Sequence, residues 1–132
     1  MTHRVFTQSI FKESGLTVMY FWASSCAPCL DELMALDRIA GEYGPDISII
    51  TVLWDSVDAE AAAFARSFAE ENGLGLPMLE MTPSVRRAFI DRYGLHEAVP
   101  ISFLIGSGGE PKSVIRHTQS YDEWRSLIGG AL

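Results

Sequence analysis

Residues 16–29 read LTVMYFWASSCAPC, the strongest structural pattern in the chain. Its opening run, LTVMYFWA, is β-branched, aromatic and almost continuously apolar, which is typical of a strand buried on both faces of a sheet. Cys26 and Cys29 follow, at the start of a segment, 28–43, in which apolar residues recur at helical spacing. Pro28 suits a first helical turn, because the N–H that proline lacks has no partner there. The stretch therefore predicts a strand that turns into a helix at two cysteines.

The helix is followed by a second strand and a second helix. Ile47–Trp54 is a buried strand, and a strand, helix and strand of these lengths predict a right-handed parallel crossover. Asp55–Asp58 supplies capping groups for an alanine-rich helix that runs through Glu71 and ends at Gly73. The next apolar run, Leu76–Leu79, is too short to assign. The cysteines therefore lie within a βαβ unit.

The remaining segments predict a third helix and a hairpin. Thr82-Pro83 has the pattern of a cap followed by a first-turn proline, and it opens a helix from about Ser84 to Tyr93 that Gly94 ends. Ile101–Ile105 and Ser113–His117 are apolar or β-branched runs on either side of a glycine-rich turn. We therefore expect them to be antiparallel neighbours.

A capping box, Ser120 with Glu123, opens the final helix. The residues of this helix that we expect to face inward are Trp124, Leu127 and Ile128. The element order is β-α-β-α, an extra helical segment, then β-β-α. It predicts an α/β domain of three layers, α/β/α, with a central mixed sheet and an extra helical insertion before the strand Ile101–Ile105, which follows Pro100.

Composition bounds the class of protein. The chain has 132 residues, 48% of them hydrophobic, which is the size and content of a single domain, and we expect one domain over residues 1–132. The net charge of -7 disfavours nucleic acid as a partner, because phosphate binding needs a clustered positive field. The sequence contains no run of about twenty apolar residues, so we expect no membrane insertion. The N-terminus lacks a secretory signal pattern, so either the protein stays inside the cell or a leader was trimmed.

The two cysteines carry the candidate chemistry. A cysteine at the N-terminus of a helix has a lowered pKa, because unpaired N–H groups and the helix dipole stabilise the thiolate, and this makes Cys26 the predicted nucleophile. Cys29 lies about one helical turn later on the same face. It is therefore placed to attack a mixed disulfide on Cys26 and release the reduced substrate.

A C-x-x-C pair has two other common uses. A purely structural disulfide is disfavoured, since closing so short a loop restricts the unfolded chain little. A zinc site needs four ligands, and the pair supplies two. The chain has no second pair, and His3, His96 and His117 have no ligand-like spacing. We therefore expect no metal.

Residues 22–29, WASSCAPC, resemble the active site of the thioredoxin superfamily. The longer stretch 26–33, the helical insertion and the run 99–105, VPISFLI, resemble the bacterial TlpA/ResA-like branch of that superfamily. The resemblance spans residues 16–128. It implies a thioredoxin fold and thiol-disulfide exchange, in which the dithiol is the reagent and no metal or organic cofactor is needed.

The resemblance also implies roles for individual residues. Pro100 would be a cis-proline beside the cysteines, and the Val99 backbone would pair with an extended substrate. An ordinary trans proline at the start of an edge strand is the alternative. Trp22, Ala27 and Pro28 fall at the substrate-binding surface, and for Trp22 core packing is the alternative role.

The resemblance also implies a role for one acidic residue, Glu32. Glu32 matches an acid that this branch places one turn after the second cysteine, where it would exchange a proton with the resolving thiol. A solvated helix glutamate is the alternative. Thioredoxins usually carry a buried acid six residues before the nucleophile, whereas this chain has Tyr20, a far poorer base. Exchange therefore needs a different proton route here.

The predicted function is dithiol-disulfide exchange with protein thiols, as a reductase supplied by an upstream protein dithiol. We expect a monomer in the bacterial periplasm or on the outer face of the cytoplasmic membrane if a leader was trimmed, or in the cytoplasm if Met1 is the native start. One rival is a noncatalytic adaptor with a redox-silent disulfide. Another is a peroxiredoxin-type peroxidase, which is disfavoured because Ala23 stands where a T-x-x-C motif has threonine.

Overall fold

The computed structural model describes residues 15–93 and 99–132. Its helices and strands are β1 (Leu16–Trp22), α1 (Ala27–Tyr43), β2 (Ile47–Leu53), α2 (Ala59–Glu71), β3 (Met78–Glu80), α3 (Pro83–Tyr93), β4 (Ile101–Gly106), β5 (Pro111–Ile115) and α4 (Tyr121–Ala131). A 3-10 turn, Gly44–Asp46, joins α1 to β2.

The strands form one mixed sheet in the order β3-β2-β1-β4-β5. β1 pairs parallel with β2 and antiparallel with β4, and β3 pairs parallel with β2. β5 is the antiparallel neighbour of β4, as the hairpin pattern predicted. The sheet is therefore built around β1, the strand that leads into the cysteines.

The side chains of β1 alternate between two cores. The residues that face the core under α1, α2 and α4 are Leu16, Val18, Tyr20 and Trp22. Met19 and Phe21 face the opposite core, against which Phe89 and Ile90 of α3 pack. All seven residues of β1 are buried, which confirms a strand covered on both faces. The predicted three-layer α/β/α arrangement is confirmed, with α3 on one face and the other three helices on the other.

Several element boundaries differ from the sequence predictions. The second hairpin strand is Pro111–Ile115, not Ser113–His117, because the Gly106 N–H donates to the Glu110 carbonyl at 2.9 Å and closes the turn directly before Pro111. Proline is tolerated there because β5 is an edge strand. Leu76–Leu79, which is too short to assign from the sequence, contributes residues to β3. This strand pairs with β2, and the pairing starts at Thr51 and Met78. The third helix starts at Pro83.

The helix ends follow the predicted chemistry. Cys26 is the N-cap residue of α1, and Gly44, with φ +61°, ends that helix in a conformation that other residues rarely adopt. The capping box of Ser120 and Glu123 is formed, and Trp124 and Ile128 are fully buried, whereas Leu127 is half-buried.

Some predictions lie outside the described residues. Gly94, predicted to end α3, is among them, as are His3 and His96. Within residues 15–93 and 99–132, no helix combines the length and the apolar character needed to cross a membrane.

Candidate active site

The candidate site lies where β1 gives way to α1. The Cys26 N–H donates to the Ala23 carbonyl at 3.0 Å, and the Cys29 N–H donates to the Cys26 carbonyl at 3.0 Å. These bonds form the turn that starts the helix. Cys26 and Cys29 are joined in a disulfide, with their Cα atoms 5.3 Å apart. The two predicted cysteines are therefore together and oxidised.

The surroundings of the two cysteines differ. Cys26 is half-buried, whereas Cys29 is 0% exposed and belongs to the core under α1. The first turn of α1 contains no acidic residue, and no side chain caps its N–H groups. Those N–H groups are therefore not neutralised by a carboxylate of the first turn, and they can stabilise an anionic sulfur on Cys26.

The loop before Cys26 is anchored by an aspartate from the neighbouring strand. The Asp55 carboxylate accepts hydrogen bonds from the Ser24 N–H at 3.1 Å and from the Ser24 hydroxyl at 2.6 Å. β1 and β2 end side by side, and the Trp54 N–H donates to the Trp22 carbonyl at 2.7 Å. Parallel pairing therefore brings the residues that follow both strands together.

The sequence predicted that the segment Asp55–Asp58 caps α2, and the structure confirms this at Asp58, whereas Asp55 binds Ser24 instead. The cap is Asp58, whose carboxylate accepts from the Glu60 N–H at 2.9 Å. The sequence signal for the role of Asp55 was its position directly after a strand parallel to β1. Sequence patterns placed the strand but did not fix its register.

Glu32 is buried, and its carboxylate accepts three hydrogen bonds. The side chain is 3% exposed, which removes the alternative of a solvated helix glutamate. Its Oε1 atom accepts from the Tyr20 hydroxyl at 2.7 Å. Its Oε2 atom accepts from the Trp124 indole N–H at 2.7 Å and the Gln119 backbone N–H at 2.8 Å. In the sequence, Tyr20 and Glu32 were connected only through the question of the proton route. In the structure, they are in direct contact.

Two of these donors were missed from the sequence. Trp124 was predicted to face inward, but not to reach Glu32, and Gln119 was not singled out. Both come from the segment around the start of α4, which is 87 and 92 residues from Glu32 in the chain. In the sequence, only the capping box pointed toward these two donors, because it fixes where α4 begins.

Burial changes the acidity of both partners in the Tyr20–Glu32 pair. Loss of solvation raises the pKa of Glu32 above its usual value, and the nearby Glu123 charge adds to this. The hydrogen bonds from Tyr20, Gln119 and Trp124 oppose the rise without reversing it. Burial and the charge of Glu32 also raise the pKa of Tyr20, so the phenol stays protonated. Glu32 is therefore the group of the pair that can change its protonation state, because the pKa of Tyr20 is raised further from the range in which carboxylates titrate.

The Val99–Pro100 peptide bond is cis, as the resemblance implied. Ile101, the next residue, pairs with Phe21 in the antiparallel ladder between β4 and β1. Val99 and Pro100 therefore lie at the end of the sheet where β1 runs into the cysteines. Both residues are half-buried.

The other predicted substrate-binding residues differ in how far they are buried. Ala27 and Pro28 are exposed beside Cys26. Trp22 is 0% exposed and packs in the core, so its side chain offers no surface to a substrate in this structure. Its burial fits the alternative role in core packing.

A groove of about 470 Å³ runs along the outer side of Glu32. Residues lining it are Pro28, Asp31, Glu32, Gln119, Tyr121 and Glu123. A second cavity, of about 410 Å³, is apolar and lies on the α3 side of the sheet, where Met19, Met81 and Phe89 line it. Among the described residues, no group of three or more His, Cys, Asp or Glu side chains is arranged to hold a metal ion.

Two curated thioredoxin-like proteins are similar to the chain in sequence. The chain is 31% identical to the thioredoxin-like protein slr1139 of Synechocystis over 81 residues, which cover 61% of this chain and 68% of that protein. It is 29% identical to the thioredoxin-like protein YneN of Bacillus subtilis over 62 residues, covering 47% of this chain but only 36% of that protein. No family model matches the chain.

Solved structures share the fold. A thiol:disulfide interchange protein of the thioredoxin family from Chlorobium tepidum has a TM-score of 0.80 at 20% identity, over 96% of this chain and 85% of that one. An exposed lipoprotein thioredoxin from Streptococcus pneumoniae has a TM-score of 0.72 at 23% identity, over 93% and 89%. The chain belongs to the thioredoxin superfamily, and its paired cysteines form the kind of site that a thiol-disulfide oxidoreductase uses.

Proposed function

We propose that the protein exchanges the Cys26–Cys29 dithiol and disulfide with cysteines of other proteins, as a reductase of the TlpA/ResA-like kind. The observation that carries the proposal is the unequal exposure of the two cysteines at the start of α1. Cys26 has accessible surface, whereas Cys29 has none. A bulky protein disulfide therefore meets Cys26 first.

The first step is attack by Cys26. In the reduced protein, the Cys26 thiolate attacks one sulfur of a substrate disulfide and forms a mixed disulfide with it. The substrate's own S–S bond breaks, and its second sulfur leaves as a thiolate. The N–H groups at the start of α1 support this step, because they stabilise the anionic form of Cys26.

The second step is resolution by Cys29. The Cys29 thiol gives its proton to the ionised Glu32 and attacks the Cys26 sulfur, forming the internal disulfide. The remaining substrate sulfur leaves as a thiolate, so two electrons have passed to the substrate. Glu32 suits the base role because it lies one turn after Cys29 on the same helix and is buried with it. An upstream protein dithiol would then reduce the internal disulfide by the same exchange in reverse.

The proposed substrate surface surrounds Cys26. Ala27 and Pro28 are exposed on one side, and Val99 with the cis Pro100 is at the same end of the sheet. An extended substrate would pair with the Val99 backbone. The protein would act as a monomer of one domain, in the bacterial periplasm or on the outer face of the cytoplasmic membrane. The description of the Streptococcus pneumoniae neighbour as an exposed lipoprotein supports that location.

Insulin reduction by dithiothreitol tests the proposal. The protein should accelerate precipitation of the insulin B chain, and a Cys26→Ser variant should not exceed the rate with dithiothreitol alone. The matched control is Ser25→Ala, which leaves both sulfurs in place. If the protein is as slow as Cys26→Ser, a noncatalytic adaptor with a redox-silent disulfide becomes the better description.

A further inference from the structure

The three donors to Glu32 are not equivalent. Gln119 and Trp124 present N–H groups to Oε2, and neither nitrogen can accept a hydrogen bond in return. Tyr20 presents a hydroxyl to Oε1. A hydroxyl both donates and accepts, and it rotates to suit its partner.

This difference decides where Glu32 can hold a proton. A proton on Oε2 would point at two N–H groups and would lack an acceptor. A proton on Oε1 faces the Tyr20 oxygen, which accepts once the phenol hydrogen rotates away. A proton on Oε1 takes this partner from the phenol hydrogen, but it keeps both N–H bonds to Oε2 and gives the carboxyl O–H an acceptor. The Oε1 position is therefore favoured, because a buried polar group that is left unpaired costs free energy.

We propose that Tyr20 is a positioning residue that lets Glu32 accept and return a proton, by reversing the direction of their hydrogen bond. Tyr20 donates to the ionised carboxylate and accepts from the protonated one. This inference rests on the proposed function, and it assigns the tyrosine that stands where thioredoxins usually carry an acid. Tyr20 itself neither loses nor gains a proton in the cycle.

The proton balance of the resolving step follows from this geometry. The S–H bond of Cys29 breaks, an O–H bond forms at Glu32 Oε1, and the Tyr20 hydroxyl turns from donor to acceptor. Cys29 forms its bond to the Cys26 sulfur while the substrate sulfur leaves with its electron pair. The proton on Glu32 then passes to water in the 470 Å³ groove that Glu32 lines.

Other ionisable groups also face Glu32. Glu123 of α4 raises the pKa of Glu32 through its charge, and Asp31 and Tyr121 line the same groove. Cys29 is the titratable neighbour on α1. Of these groups, Glu123 is the one whose charge raises the pKa of Glu32. They remain in place when Tyr20 is changed to phenylalanine, so a shift seen in that variant reports the lost hydroxyl.

The test measures attack and resolution separately. Reduced protein is mixed with an aromatic disulfide that releases one coloured nitrothiobenzoate when Cys26 attacks and a second when Cys29 resolves. Tyr20→Phe should leave the first release unchanged and slow the second by about fivefold, the factor expected for one hydrogen bond of ordinary strength. Because the ionised carboxylate loses a donor, the acid limb of the second release should also move to higher pH.

Two controls distinguish a positioning role of Tyr20 from a general disturbance of the protein structure. Tyr43→Phe removes a hydroxyl elsewhere on α1 and should leave both releases unchanged. In a Glu32→Gln background, Tyr20→Phe should have no further effect on the second release. Equal slowing of both releases, an unchanged second release, or the same slowing in the Glu32→Gln background would overturn the inference.

A measurement on the unmutated protein covers the case in which Tyr20→Phe does not fold. With ¹³C-labelled tyrosine and glutamate, the Tyr20 Cζ and Glu32 Cδ signals of the reduced protein should titrate with one shared midpoint. A Tyr20 signal that does not respond when Glu32 titrates would contradict the inference. Absence of any second release from the unmutated protein would instead reject the proposed function.

Discussion

The indole N–H of Trp124 donates to Glu32 Oε2 at 2.7 Å, and this bond links the last helix to the helix that carries the cysteines. Both side chains are buried, at 0% and 3% exposure. The site is therefore completed by a residue near the end of the chain, although its cysteines lie near the beginning.

Replacing Trp124 with phenylalanine should destabilise the protein more than the same change at Trp22. Both tryptophans are fully buried, but among the described residues the Trp22 indole nitrogen has no hydrogen-bond partner, whereas that of Trp124 pairs with a carboxylate. We expect Trp124→Phe to lose about 1–3 kcal/mol more in free energy of unfolding, the cost of a lost hydrogen bond to a buried acid. Urea unfolding followed by far-UV circular dichroism measures both. Equal losses would show that the bond contributes nothing net.

Glu32→Gln should slow resolution more than first attack, because glutamine cannot take the Cys29 proton. The two-release assay with the aromatic disulfide separates the steps. The control is Asp31→Asn, which removes a neighbouring but exposed carboxylate and should change neither release. If both releases slow equally in Glu32→Gln, or neither does, the base role is excluded.

The stability of the protein should depend on pH through Glu32. Burial raises the pKa of Glu32 in the folded state above its ordinary value of 4.5, so the folded protein binds this proton more tightly than the unfolded chain. The contribution is fully present below pH 4.5 and is lost as the pH rises through the folded pKa. Urea unfolding across this range should show the unmutated protein losing stability relative to Glu32→Gln. A constant difference between them would contradict the raised pKa.

The two cysteine variants should behave differently with a substrate protein. In Cys29→Ser, Cys26 still attacks but nothing resolves the product, so a mixed disulfide should accumulate on a non-reducing gel. Cys26→Ser lacks the attacking sulfur and should trap almost nothing, since Cys29 is fully buried. Trapping by Cys26→Ser alone would reverse the assigned roles.

Alkylation of the reduced protein provides an independent check on the same asymmetry. Cys26 should react with iodoacetamide with a midpoint well below about 8.5, the value of a free thiol, because helix N–H groups stabilise its thiolate. Cys29 should react more slowly and at higher pH. Mass spectrometry of the labelled peptides between about pH 4 and pH 9 follows both. Equal rates with midpoints near that of a free thiol would favour the noncatalytic adaptor.

Most of the fold is predictable because its signals are local. The apolar run of β1, the helical spacing after Pro28 and the capping box at Ser120 each lie within a few residues. β5 was misplaced by two residues because the closing bond between Gly106 and Glu110 depends on the hairpin as a whole. The bond of Asp55 to Ser24 was not predicted for a similar reason, since it depends on strand register.

By itself, the sequence determined that two cysteines stand at a strand-to-helix junction, three residues apart, because alternation, helical spacing and capping are properties of neighbouring residues. Tertiary structure alone decided that Glu32 is buried and that Tyr20, Gln119 and Trp124 bind it. Those contacts join residues from β1, α1 and the start of α4, and they form only when both helices pack on the same face of the sheet. Burial then sets the acidity of Glu32, because a carboxylate loses its solvation only once the surrounding elements have closed over it.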